Sequence, residues 1–202
     1  MNAPQPLPPG IPVEISREAL AGLPIQRYEG EIVLVTDRAT LEGAMADIHR
    51  EQAVGWDIET RPSFRKGEVY PPSLVQVATA RAVYVLQLAT LDMSKEVAAL
   101  FASAAIVKAG ISVADDLKKL ATQFPLSPAR VLDLGTVARR HGMEQTGLRN
   151  LAGIFLGQRI PKGAKTTNWA VPRLSAQQLN YAATDAWACR ALYLKFRELG
   201  MV

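Results

Sequence analysis

Apolar and polar positions along the chain alternate between two periods. The run EIVLVT, residues 31–36, is rich in β-branched residues and predicts a strand. From Asp37 to about Arg50, apolar residues recur at 41, 44, 45 and 48, the spacing of a helix. AVGWDIE (53–59) predicts a second strand. SLVQVAT (73–79) and AVYVLQL (82–88) predict a hairpin, because only Ala80 and Arg81 separate them. A helix over 93–104, a strand over 105–109, a helix over 112–123 and a strand over 130–134 follow. Residues 135–157 and 175–199 are expected to be largely helical. A hairpin followed by strands alternating with helices predicts a single α/β domain with a mixed sheet.

Ahead of this pattern, MNAPQPLPPGIP is proline-rich and has no apolar stretch of the kind a secretion signal needs. Residues 1–30 are therefore expected to be a partly flexible leader, with the domain proper over 31–202. No apolar run approaches the roughly 18 residues that would span a bilayer. A chain of 202 residues is long enough for one sizeable core, and 49% hydrophobic with 21% charged residues excludes a disordered class. The net charge of +4 permits a polyanionic partner without requiring one. The single cysteine, Cys189, excludes a disulfide framework and a cysteine-rich zinc site. His49 and His141, the two histidines, offer little for a histidine-based metal site. Together these features lead to the expectation of a cytoplasmic protein.

The candidate chemistry lies in carboxylates. In a strand, Asp57 and Glu59 point to one face while Trp56 and Ile58 point to the other. They end an apolar strand, and the C-terminal edges of strands are where α/β sheets place ligands. A metal pair and an exposed strand end are both open readings. In KAGISVADDLKKL (108–120), Ser112 and Asp115 fit a capping box at a helix start. Asp116 borders the apolar stripe of Val113, Leu117, Leu120 and Phe124, as a ligand or as a second helix-start acid. In LNYAATDAWACRALY (179–193), Tyr181 and Asp185 share a helix face, and the surrounding alanines would let that helix approach a sheet closely. An ordinary surface Tyr–Asp pair is the competing reading.

Two like charges about 4 Å apart repel by roughly 4 kcal/mol at an effective dielectric near 20. Four gathered carboxylates would thus force protonation unless divalent cations neutralised them. An all-oxygen donor set selects hard ions, Mg²⁺ or Mn²⁺. Two longer irregular stretches, RPSFRKGEVYPP (61–72) and GQRIPKGAKTTNW (157–169), carry Lys or Arg beside Gly and Pro. They read as solvated loops or as phosphate-contacting loops.

DIE at 57–59, GISVADDLKKL at 110–120 and YAATDA at 181–186 resemble the three exonuclease motifs of the DEDDy family, which includes ribonuclease D and the exonuclease domain of Werner helicase. The likeness runs from about residue 31 to 199 and takes in the connecting text VGWDIETRPSF, SLVQVAT and NWAVPRLSAQQLNYAATDAWA. It implies a ribonuclease-H-like fold. It also implies that Asp57, Glu59, Asp116 and Asp185 hold two divalent ions, Mg²⁺ or Mn²⁺, and that Tyr181 orients the attacking water. The implied activity is 3′–5′ hydrolysis of DNA or RNA ends with release of nucleoside 5′-monophosphates, the implied partner being nucleic acid. A module that keeps the fold and binds nucleic acid without cutting is the alternative. The sister subgroup carries histidine near position 180, where this chain has Asn180. Within the resemblance, Arg65, Lys66, Lys162 and Lys165 become candidates for backbone-phosphate contacts, and Trp169 reads as a core residue beside the second loop. About 17 residues follow Asp185, so no helical nucleic-acid-binding domain of the ribonuclease D kind is expected here.

Overall fold

The computed structural model describes residues 5–65, 67–163 and 167–202. Lys66 and Lys165 fall outside the described residues. After a short helix α1 (Arg17–Gly22) come β1 (Glu31–Val35), α2 (Arg38–Ile48), β2 (Ala53–Thr60), β3 (Pro72–Ala78) and β4 (Ala82–Gln87). They are followed by α3 (Ser94–Ala102), β5 (Val107–Gly110), α4 (Val113–Leu120), β6 (Val131–Asp133), α5 (Leu134–Arg140), α6 (Leu148–Leu156) and α7 (Ala176–Glu198). The strands form one six-stranded sheet in the order β1-β4-β3-β2-β5-β6. β3 runs antiparallel to β2 and β4, whereas the β1–β4, β2–β5 and β5–β6 pairs are parallel. The sheet is therefore mixed, as the element order predicts.

Local chemistry explains most boundaries. The β3–β4 turn lacks an Asn-Gly signal because Thr79 does the work: its backbone N–H donates to Ala82 O, and its hydroxyl accepts from the Arg81 and Ala82 amides. Ser175 and Gln178 form a complete capping box at the start of α7. The expected helix over 135–157 is two helices, α5 and α6, because the chain turns at Gly142 with φ +81°. No helix of the described residues is long and apolar enough to cross a membrane.

Alternation along β2 sorts the core. Val54, Trp56 and Ile58 point into a cluster closed by Leu41 and Ile48 of α2, Leu100 and Phe101 of α3, and Leu120 of α4. The other face of the sheet is covered by α7. Its first half packs Ala182, Ala183 and Ala186 on Leu74, Ala78, Val83 and Val85. Its second half joins α5 and α6 through Leu192, Phe196, Val137 and Phe155.

The lead-in runs alongside the domain proper. Its described part is tied to the domain: Gln26 N–H donates to Arg159 O at 3.0 Å, and Arg159 N–H to Pro24 O at 2.9 Å. Tyr28 N–H reaches the Thr184 hydroxyl at 3.0 Å, and Asn180 Nδ2 donates to Tyr28 O at 2.9 Å. Leu7 and Ile11 pack on the α5–α6–α7 core. Its prolines remove amide donors, but Gln5 N–H donates to Arg140 O at 2.9 Å.

One glycine sets the depth of α7 on the sheet. A Cβ on Gly55 of β2 would lie 2.0 Å from the Ala186 carbonyl oxygen and 2.4 Å from the Arg190 amide nitrogen. Backbone cannot yield as a flexible side chain can. Gly55→Val should therefore cost about 3 kcal/mol or more in chemical denaturation. Gly43→Ala, on the exposed face of α2 where a Cβ meets nothing within 4 Å, should instead gain about 0.5–1 kcal/mol. Equal effects at the two positions would contradict this packing.

Candidate active site

Strand β2 and helix α7 build the site from opposite sides of their contact. Because Gly55 admits the α7 backbone, the residue one position before Ala186 comes down beside the end of β2. Asp57, Glu59 and Asp185 each bring a carboxylate oxygen to within 4.8 Å of the others. Glu59 and Asp185 are each only 8% exposed, so water disperses little of their charge. The pair expected to share a strand face does so, and the Tyr–Asp helix pair belongs to the same site.

Asp116 lines the same cavity but stands outside that 4.8 Å group. Its carboxylate lies 3.6 Å from Lys119 Nζ, one turn along α4. The expected capping box at Ser112 does not form. Ser112 adopts φ +58°, left-handed backbone that cannot present the hydroxyl as an N-cap in the extended region does. Asp133 of β6 caps instead: it accepts the Val113 N–H at 3.2 Å and the Thr136 N–H at 3.0 Å. One side chain thereby starts two helices. Asp115, relieved of capping, is exposed and pairs with Lys118 at 3.0 Å.

The electrostatics follow from this crowding. Burial, then the charges of Asp185 and Asp116, push the Asp57 carboxyl well above its ordinary range. Burial also raises Asp116, against the opposing pull of Lys119. The Tyr181 phenol is driven up by burial first, then by the charges of Asp185 and Glu59 and by its hydrogen bond to Asp185. It stays protonated throughout the neutral range. Tyr181 is also held mechanically. Trp169, fully buried, lies with its ring centroid 6.0 Å from that of Tyr181. The loop after β-bridge residue Arg159 presses its backbone on the ring, since a Cβ on Gly163 would sit 2.0 Å from Tyr181 Cδ2.

The residues present suit a hard cation. Three converging carboxylates offer oxygen donors alone, and their mutual repulsion is what a divalent ion would relieve. Gln76, directly opposite Asp57 on β3 and fully buried, has neither amide atom hydrogen-bonded.

Of the basic loop candidates, Lys162 lines the cavity. Arg65 is exposed and is not among the residues that line it. Lys119, Arg17, Arg149 and Arg159 also line it, and the sequence reading missed them. Lys119 was legible in principle, three residues after Asp116; Arg17, far away in the chain, carried no signal.

A family model for 3′–5′ exonucleases matches residues 32–200. The chain belongs to that family. Members similar to it include a 3′–5′ exonuclease of Arabidopsis thaliana, 31% identical over 202 residues, spanning 92% of this chain and 70% of that protein. Ribonuclease D of Haemophilus influenzae is 34% identical over 164 residues; the match spans 79% of this chain and 40% of its own length. Among solved structures, the Aedes aegypti Nibbler exonuclease domain aligns with a TM-score of 0.75 at 22% identity, covering 87% of this chain and 91% of its own. Trypanosoma brucei ribonuclease D aligns with 0.75 at 20% identity, over 83% and 64%. The ribonuclease-H-like fold that the motifs imply is thereby borne out.

The raised Asp57 carboxyl has a measurable sign. Its protonated form is favoured in the folded chain, so between its unfolded value near 3.8 and its higher folded value the native state binds more protons. Its charge then destabilises the fold increasingly as pH rises through that window. In chelator, Asp57→Asn should melt higher than wild type at pH 7, and the gain should fade as pH falls towards 4. A gain independent of pH would contradict the crowding described.

Proposed function

We propose that this protein is a metal-dependent 3′–5′ exonuclease that hydrolyses the terminal phosphodiester of DNA or RNA and releases a nucleoside 5′-monophosphate. One observation carries the reading: Asp57, Glu59 and Asp185 converge within 4.8 Å, in a cavity of about 1110 Å³ that Asp116 and Tyr181 also line. Asp57, Glu59, Asp116 and Asp185 would hold two Mg²⁺ or Mn²⁺ ions. Such ions, when bound, make water acidic enough to attack at neutral pH and offset charge on the departing oxygen.

The chain's own groups do the rest. The protonated Tyr181 hydroxyl, fixed by Trp169 and the Gly163 backbone, orients the attacking water towards phosphorus. Attack forms the new P–O bond as the bond to the 3′ oxygen breaks; the proton that the water gives up passes to solvent, and the departing oxygen takes one from solvent and leaves as a hydroxyl. Lys162 binds a backbone phosphate, and Arg65, Lys66 and Lys165 belong to the same proposal as contacts of the two basic loops. The T. brucei ribonuclease D was also solved in complex with RNA U12, with a TM-score of 0.72 to this chain, which supports a nucleic-acid end as the ligand.

The test is a 5′-labelled oligonucleotide incubated with Mn²⁺ or Mg²⁺. A ladder shortening from the 3′ end is expected, abolished by chelator. Asp57→Ala should lower the rate by about 10³-fold or more, and Tyr181→Phe by about 10- to 10⁴-fold. Undiminished cutting by Asp57→Ala would overturn the assignment.

A further inference from the structure

The family match begins at residue 32, yet the cavity that holds the carboxylates is also lined by residues from before it: Arg17, Leu20 and Ala21 of α1, and Ile25 just beyond. This stretch is not loosely placed. Leu20, Ile15 and Leu23 close on Gly153 of α6, where an added Cβ would stand 2.6 Å from Leu20 Cδ1. Ile15 N–H donates to Gln145 Oε1 at 3.0 Å, and Ile25 forms a parallel bridge to Arg159. Contacts on both sides of α1 hold it against the cleft.

The surface it contributes is mixed in a particular way. Leu20, Ala21 and Ile25 are apolar, and Ile25 is 49% exposed. Beside them on the same cavity lie Arg17, Arg149 of α6 and Lys162, and none of these three takes part in an ion pair among the described residues. The cavity volume, about 1110 Å³, exceeds the roughly 300–1,000 Å³ of an ordinary small-molecule pocket. Space therefore remains beyond what one terminal nucleotide fills. Apolar side chains interleaved with cations suit a strand that offers unpaired base faces and phosphates together. In a duplex the base faces are stacked inside and unavailable to such a wall.

Building on the proposed exonuclease function, we propose that the Arg17–Ile25 segment is a substrate-binding wall. It grips the nucleotides on the 5′ side of the scissile bond through Arg17 and the Leu20–Ala21–Ile25 surface, and so selects single-stranded 3′ ends. The preference then comes from a segment outside the family-matched region rather than from the carboxylate centre.

Binding of a fluorescent octathymidylate to the whole chain, in chelator so that nothing is cut, tests this directly by anisotropy. Arg17→Ala, at an exposed position, should raise Kd about five- to tenfold and make the plot of log K against log salt shallower by about 0.7. Gly153→Leu, outside the cavity lining, evicts Leu20 from its seat and should weaken octathymidylate binding by about tenfold or more, while Mn²⁺-dependent hydrolysis of thymidine 5′-(p-nitrophenyl phosphate), which has no nucleotide on the 5′ side of the bond cut, stays at the wild-type rate. Octathymidylate annealed to its complement should bind wild type at least about tenfold more weakly than the free strand. Unchanged octathymidylate affinity and salt slope in Arg17→Ala would overturn the wall, whether or not Gly153→Leu folds. Equal affinity for single strand and duplex would overturn the selection. Failure of wild type to cut any oligonucleotide would overturn the exonuclease reading alone, since binding in chelator reports the wall independently.

Discussion

The structure depends on the contact between one strand position and one helix backbone. At Gly55 the sheet has no side chain, and the α7 backbone at Ala186 and Arg190 occupies the space. Everything catalytic that α7 could offer is placed by this approach, because Asp185 is the residue before Ala186 and Tyr181 lies one turn earlier. The alanines at 182, 183 and 186 keep the same spacing further along the sheet. Arg190 then clamps the contact from the far side, with its guanidinium 3.0 Å from Glu51, whose other oxygen accepts the Ala80 N–H at the β3–β4 turn. A larger residue at 55 would lift the helix and carry Asp185 away from Asp57 and Glu59.

This arrangement spends folding stability on a site. Buried carboxylates repel, and the rise in the Asp57 carboxyl is the local sign of that cost. The remainder of the domain offsets it with two apolar cores, one on each face of the sheet. Asp116 is treated differently from its neighbours: it stands off from the other three and has Lys119 as a counter-charge. A divalent ion that binds the folded chain alone would both relieve the repulsion and stabilise the protein by mass action.

Much of this was readable from the chain. The two periods of apolar residues located all six strands and the long helix α7, because both faces of the sheet are buried and the pattern could not drift. Asp57, Glu59, Tyr181 and Asp185 were legible because strand and helix geometry each put a pair on one face. Three features were not legible. The break between α5 and α6 turned on the left-handed backbone at Gly142, in a stretch whose apolar spacing continued across it. The cap of α4 came from Asp133, twenty residues away and on another strand, while the local Ser112–Asp115 pattern suggested a motif that the backbone forbids. The contacts of the lead-in carried no local signal, because its partners, Arg159, Thr184, Asn180 and Gly153, are all distant in sequence. Propensity sees neighbours along the chain; these contacts are made across it.

The central claim is that side chains from β2, α4 and α7 form one cation-binding centre. Anomalous diffraction from a crystal of the protein soaked in Mn²⁺ tests it without reference to any substrate. Two manganese peaks ligated by Asp57, Glu59, Asp116 and Asp185 are expected. A fully soaked crystal with no anomalous density among these four carboxylates would contradict the account.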